Sequence, residues 1–299
     1  MKKHLLACAV VALASGAAFA QATDTIAKAK ASGAITMGVR DSSGALAFTL
    51  GDGKYTGFHY DVCQRIIANL EKTVGKKLDI KYQLVTSQNR IPLVQNGTVD
   101  IECGSTTNNA TRQKDVAFAN TVYVEEVRIA VKANSGITSI TQLGGKSVAT
   151  TTGTTSVQLL RKNERATGVE FKEVFGKDHA DSFLLLESGR ADAFVMDGQI
   201  LSGNISTAKN PADFKIVGEV LSVEPIAIML RKDDPAFKKL ADDTIAGMVK
   251  TGEMAKLYDK WFMQPIPPKN VKVGLPASEA TKAAWANLND KPAEDYAKK

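Results

Sequence analysis

Residues 78–112 read LDIKYQLVTSQNRIPLVQNGTVDIECGSTTNNATR, and the fold turns on this stretch. Leu78, Ile80, Tyr82 and Leu84 alternate as one face of a strand over 78–85. Residues 90–95 follow as a short helix, stopped by Asn96-Gly97. Residues 99–103 turn apolar again and predict a second strand. Upstream, 35–39 reads as a strand, and 60–74 carries Val62, Ile66, Ile67 and Leu70 at helical spacing, with Gly75 as its C-cap. This βαβαβ run implies a parallel sheet covered by helices, an α/β protein.

A second series lies further on. Val127, Ile129 and Val131 alternate. Then come a strand over 147–151, a helix from about Thr155, a strand over 169–174, a helix over 181–188 and a strand over 191–196. Residues 216–220 and 226–230 read as two further strands. Asp234-Pro235 opens an amphipathic helix towards residue 250. Gly252 breaks it, and a second helix carries Leu257, Tyr258, Trp261 and Phe262. The Pro- and Lys-rich tail, 265–299, is expected to wrap the surface or fray.

Composition narrows the function. Of 299 residues 44% are hydrophobic, too many for a disordered chain. The net charge of +6 comes without basic blocks interleaved with aromatics, so a nucleic-acid binder is not expected. Lys2-Lys3, an apolar run from Leu5 to Ala18, and Ala18-Phe19-Ala20 have the pattern of a cleaved signal peptide over residues 1–20. Leu5-Leu6-Ala7-Cys8 also resembles a lipoprotein box, but it lacks a hydrophobic run before it. No later run is long enough to span a bilayer, so an exported, soluble protein is expected. After cleavage Cys63 and Cys103 remain, and an even pair in an exported protein leads us to expect one disulfide between them, with two buried thiols as the alternative. With His59 and His179 the only histidines left, no metal centre is expected.

Five stretches could carry chemistry, and each has an ordinary alternative. Gly153-Thr154-Thr155-Ser156 starts a helix and could bind an anion, or simply cap that helix. In Thr86-Ser87-Gln88-Asn89-Arg90 an arginine opposes the helix dipole, which hints at a ligand carboxylate; it could also pair with a nearby acid. Residues 103–112 run from a strand end through a hydroxyl-rich loop to Arg112, where open α/β sheets bind ligands and where Arg suits a carboxylate; a solvated loop is the alternative. In residues 177–182 His179 is either a ligand group or a surface residue, and Asp181 or Ser182 could cap a helix. Asp197, at a strand end, is a counter-ion for an ammonium or a turn residue. Enzyme motifs fail. Gly144-Gly145-Lys146-Ser147 has Ile140 where a phosphate-binding loop needs its first glycine, and a strand follows it.

Taken together these motifs resemble the periplasmic amino-acid-binding proteins of ATP-driven importers, bacterial extracellular solute-binding protein family 3, and in particular its members for acidic amino acids. The resemblance covers nearly the whole mature chain. It is carried by residues 86–93, 102–109, 177–183, 186–190 and 259–262. It implies a two-lobed, type II fold with mixed, mainly parallel sheets and a ligand cleft between the lobes. Residues 30–123 and 225–299 would form lobe 1, 128–220 lobe 2, and 122–127 and 219–225 the hinges. It implies capture of L-glutamate or L-aspartate by a periplasmic, monomeric protein that hands its ligand to an inner-membrane ABC permease, with no catalytic step and no cofactor. Arg112, Thr107 and Thr155 would hold the α-carboxylate, Ser105 and Asp197 the α-ammonium, and Arg40, Ser87, Arg90 and His179 the acidic side chain. Three arginines against one aspartate suit a ligand with two carboxylates and one ammonium. The alternatives are a different polar amino acid, a small dicarboxylate, a sensory module, or a periplasmic prephenate or arogenate dehydratase on the same fold.

Overall fold

The computed structural model describes residues 24–296; the expected leader, with Cys8, lies outside the described residues. Two five-stranded sheets organise the chain. The first has the order Asp79–Leu84, Ala34–Val39, Ile101–Glu102, Met229–Arg231, Val116–Phe118. Its first three strands are parallel, and Met229–Arg231 is antiparallel to both neighbours. The second has the order Lys172–Gly176, Ser147–Thr151, Ala193–Asp197, Tyr123–Lys132, Phe214–Ile226, again three parallel strands followed by two antiparallel ones. The chain is thus a two-lobed α/β protein with mixed sheets.

The central strands are covered on both faces and are largely buried, whereas the edge strands Asp79–Leu84 and Lys172–Gly176 are partly exposed. In the second sheet Val127, Ile129, Val131, Val148 and Val195 enter one core, while Ala130, Ala149, Phe194 and Met196 enter the core on the opposite face. In the first sheet Met37 and Val39 pack with Phe58, Val62 and Ile66 of the helix Phe58–Val74. That helix ends on Gly75 in the left-handed conformation. Its Cys63 is disulfide-bonded to Cys103, with 6.3 Å between the Cα atoms, so the sequence alternative of two free thiols falls away.

The structure departs from the sequence reading in several places, and the helix Gly198–Thr207, the strand Val116–Phe118 and a small sheet within residues 42–56 have no counterpart in it. Tyr82 and Leu84 are 41% and 42% exposed, because their strand lies at a sheet edge; the Tyr82 hydroxyl meets that of Tyr60 at 2.7 Å. The strand read at 169–174 is Lys172–Gly176, and the helix read at 181–188 begins earlier, as His179–Glu187. Residues 216–220 and 226–230 are not two equal strands. Phe214–Ile226 is one long strand held against Tyr123–Lys132, with a register shift between Val217 and Ser222, and Met229–Arg231 is separate. The helix Thr25–Ser32 had no counterpart in the sequence reading. Of the two expectations for the tail, the described part wraps the surface: the helix Glu279–Ala286 packs on Tyr123–Lys132, Trp285 donates to the Val122 carbonyl at 2.8 Å, and Asn108 donates to the Asp290 carbonyl at 2.8 Å. No helix among the described residues is long and apolar enough to cross a membrane.

Candidate functional site

Parallel strands present their carboxyl ends along one rim of a sheet, and loops there are free to carry function. Arg40 follows the strand Ala34–Val39, and Ser87 follows Asp79–Leu84. Arg90 opens the helix Arg90–Gln95, and Ser105 and Thr107 follow Ile101–Glu102. From the other lobe come Thr155 and His179, each the first residue of a helix, and Asp197, the last of its strand. Arg112 lies in a tight helical turn beside the loop. The structure brings all nine to the region between the two sheets. Eight of them are buried and Thr155 is half-buried.

One end of the cleft offers hydrogens. A guanidinium can only donate. One Arg40 nitrogen, Nη2, shares its two hydrogens among the Ser87 hydroxyl at 3.2 Å, Asp178 at 2.5 Å and His179 Nε2 at 3.1 Å. Its Nε and Nη1 are buried with no partner among the described residues, and the same holds for Nε and Nη1 of Arg90. Since Ser87 accepts from Arg40, its own proton stays available. Burial and the nearby Arg112 draw the Arg90 guanidinium down to about 9, so it is still charged at neutral pH.

His179 is part of this end, but not as a donor to a ligand. Its Nε2 accepts from Arg40, so the neutral ring carries its hydrogen on Nδ1 and gives it to the Thr151 hydroxyl at 3.0 Å. Thr151 in turn meets Ser182 at 2.8 Å. Burial, then the Arg40 charge, hold the imidazole down to about 3. The histidine therefore orients Arg40. Asp178 does so from the other side: burial raises its carboxyl, but Arg40, His179 and the Ser42 hydroxyl outweigh that and hold it at about 2.

The other end offers lone pairs. The Ser105 hydroxyl donates to Ser43 at 3.0 Å, leaving its lone pairs free. Asp197 is buried with its Oδ1 unpartnered among the described residues. Burial, then the carboxylate of Glu224, push Asp197 up to about 7, against the pull of Arg90, Arg112 and Arg40. Glu125 is raised well above its ordinary value by burial and then by Asp197. Arg112 bounds this end. It donates to the Thr107 carbonyl at 2.8 Å and, across the lobes, to the Gly153 carbonyl at 3.3 Å.

The sequence tally of three arginines against one aspartate is corrected here. Asp178 pairs with Arg40. Buried Glu102 faces Arg90 and Arg112 and accepts from Thr106 at 2.7 Å. Glu224 accepts from both Thr107 and Thr155. Glu102 and Asp178 lie within stretches that carry the resemblance, where neither stands out as a site residue, and Glu224 sits inside the long strand Phe214–Ile226. The one visible signal was a Glu before Pro225 in an otherwise apolar stretch.

Two glycines allow the approach. A Cβ on Gly104 would lie 2.2 Å from Glu102 Oε1 and 2.8 Å from Arg40 Cγ. Gly153, at φ +81°, brings the loop of one lobe against the backbone of the other, where a Cβ would stand 2.7 Å from the Gln88 Cα. Further bonds cross between the lobes: Ser42 to Asp178 at 2.8 Å, the Ala180 amide to Ser42 at 3.1 Å, and Gln199 to the Ser43 carbonyl at 3.2 Å.

Two α/β lobes closing on a cleft with a donor end and an acceptor end define a protein that binds a small polar solute. Residues 35–264 match the bacterial extracellular solute-binding proteins, family 3, and the chain belongs to that family. It is 44% identical over 293 residues to the glutamate/aspartate import solute-binding protein of Escherichia coli (strain K12), covering 95% of this chain and 97% of that one. To the L-glutamate/L-aspartate-binding protein of Pseudomonas aeruginosa it is 43% identical over 295 residues, 97% of each. Among solved structures, ArgBP from T. maritima is similar with a TM-score of 0.70 at 28% identity, over 80% of this chain and 99% of that one.

Proposed function

We propose that this protein captures L-glutamate or L-aspartate in the periplasm, as a monomer freed of residues 1–20, and delivers it to an inner-membrane ABC permease without a catalytic step. The observation that carries the reading is the pair of buried arginines, Arg40 and Arg90, with unpartnered nitrogens at one end of the cleft and unpartnered Asp197 at the other. Asp178 pairs with Arg40 and Glu102 faces Arg90, yet two nitrogens of each arginine stay buried without an acceptor, and a carboxylate satisfies them better than a neutral side chain. Arg40, Arg90 and Ser87 receive the side-chain carboxylate, with His179 fixing Arg40. Arg112 receives the α-carboxylate. Thr107 shares that role through its amide: its carbonyl lies on Arg112, and in an extended residue N–H and C=O point to the same side. Thr155, first in the helix Thr155–Thr167, adds an amide left outside the helical ladder. Ser105 and Asp197 receive the ammonium.

The lobes divide as residues 30–123 with 225–299 and as residues 128–220. The antiparallel pairing of Tyr123 with Ile226 and of Val127 with Ser222 supports hinges at 122–127 and 219–225. The names of the two relatives support acidic amino acids over other polar amino acids, and Asp197 argues against a plain dicarboxylate. The test is a melting experiment on ligand-stripped protein. Either acidic amino acid at about 100 times its dissociation constant should stabilise by about 2.7 kcal/mol. A shift with a neutral amino acid and none with glutamate or aspartate would overturn the assignment.

A further inference from the structure

The threonine wall of the cleft has a polarity that the residue types alone do not reveal. A hydroxyl has one proton to give and two lone pairs with which to accept. Thr107, in lobe 1, donates to Glu224 Oε2 at 2.6 Å, and Thr155, in lobe 2, donates to the same oxygen at 2.8 Å. A carboxylate oxygen can only accept, so both protons are directed away from a ligand. Ser105 gives its proton to Ser43. Three hydroxyls of the cleft are thus left as acceptors: that of Ser105, and those of Thr107 and Thr155, whose backbone amides serve the adjoining α-carboxylate. Glu224 itself is 3% exposed and lies opposite Glu125 on the paired strands between the lobes, close enough to Asp197 to raise its affinity for a proton. Asp197 Oδ1 and Glu125 Oε2 are both buried without partners among the described residues. Such buried carboxyls, with their raised affinity for protons, are satisfied either by protons or by a donor carrying positive charge that displaces them.

We propose that Glu224 is a positioning residue that sets the direction of the ligand: by taking the protons of Thr107 and Thr155 it makes that wall purely accepting, so that it draws the ligand's ammonium and turns away a molecule with a carboxylate but no amine. This rests on the reading of the cleft as a site for acidic amino acids. Glu224 need not touch the ligand; it acts through the two threonines and through its charge. Because one oxygen holds a hydroxyl from each lobe, the wall is assembled only when the lobes are together.

The experiment compares L-glutamate with glutarate, which keeps both carboxylates and lacks the ammonium, on ligand-stripped wild-type protein and on Glu224→Gln. Wild-type protein should prefer glutamate. Glu224→Gln removes the charge, although its amide oxygen can still accept the threonine protons; glutamate should weaken by about tenfold or more while glutarate holds or improves, so their ratio falls by about tenfold. Thr155→Val removes one accepting oxygen without altering charge and should shift the ratio in the same direction by about 3–10-fold, which keeps the test available should Glu224→Gln fail to fold. Equal weakening of both ligands would overturn the proposal and leave Glu224 as a structural tie between lobes. Stronger glutamate binding would overturn it too, since Glu224 would then be competing with the ligand carboxylate. Wild-type protein that bound neither acidic amino acid would overturn the function reading instead. The same ratio, taken for whichever amino acid does bind and its amine-free counterpart, would still decide on Glu224.

Discussion

The Arg40–Arg90 end and the Asp197–Glu224 end of the cleft are built from opposite materials. At the first, cationic nitrogens exceed their acceptors: Arg40 is held by Asp178, Ser87 and His179, yet two of its nitrogens and two of Arg90 have no protein partner among the described residues. At the second, acceptors exceed donors: Asp197 and Glu125 hold unpaired oxygens, and three hydroxyls have turned their protons elsewhere. An α-amino acid with an acidic side chain complements both, since it brings carboxylates to the arginines and an ammonium to the carboxylates. The contrast also shows that counting charges is insufficient. The two ends contain similar numbers of ionisable groups, and what separates them is which hydrogens are already engaged within the protein.

Arg112 lies near the boundary and should serve the group every amino acid carries. Arg112→Ala is expected to weaken all amino-acid ligands together by about 2–5 kcal/mol, read by calorimetry across a panel. A loss confined to acidic ligands would move Arg112 into the donor end. Reducing the disulfide addresses the acceptor end, because Cys103 leads directly into the Gly104–Thr107 loop. Closing a loop of 40 residues corresponds to about 4 kcal/mol in the chain-entropy model, and about 2–4 kcal/mol of lost stability is expected in urea unfolding with and without reductant.

His179 offers a smaller and more selective effect. His179→Phe removes the acceptor of an Arg40 hydrogen and should weaken glutamate by about 1–2 kcal/mol, while His179→Gln, whose carbonyl can accept, should recover most of that. Failure of glutamine to rescue would mean that the imidazole does more than hold Arg40. The smallest effect is linked to pH. In the free protein burial and Glu224 hold Asp197 at about 7. An ammonium beside it favours the ionised form, so the complex binds fewer protons than the free protein and ligand capture releases one. Affinity should therefore rise with pH up to about 7 and level off above, by at most about tenfold per unit. Calorimetry in buffers of different ionisation enthalpy reads the proton directly, and proton uptake at pH 6.5 would reverse the assignment.

Much of the fold was legible because it is written in local patterns. The strand Ser147–Thr151, the helix Arg90–Gln95 and the start of Thr155–Thr167 fall where periodicity and turn residues put them. The long strand Phe214–Ile226 was read as pieces, since its continuity comes from pairing with a strand nearly a hundred residues earlier. Eight of the nine candidate residues stand out in the sequence as polar groups where strands end or helices begin, a position that the topology turns into a shared cleft; Arg40 comes only from the resemblance. Glu102, Glu125 and Glu224 do not stand out, because an acid inside a strand has no local signature. Its meaning depends on which hydroxyl or guanidinium another segment brings to it. The direction of the Thr107 and Thr155 protons is a further step removed, since only the observed contacts with Glu224 assign it.

The assignment of the donor end rests on Arg90, and one titration examines it. Ligand-stripped wild-type protein and Arg90→Ala are each titrated with L-glutamate and L-glutamine. Wild-type protein should favour glutamate strongly, because the buried Arg90 nitrogens without a partner meet two charged acceptor oxygens in glutamate and one uncharged acceptor in glutamine. In Arg90→Ala glutamate should weaken by about 2–5 kcal/mol and glutamine should approach parity with it. An Arg90→Ala protein that kept the wild-type preference for glutamate would show that the side-chain carboxylate is read elsewhere.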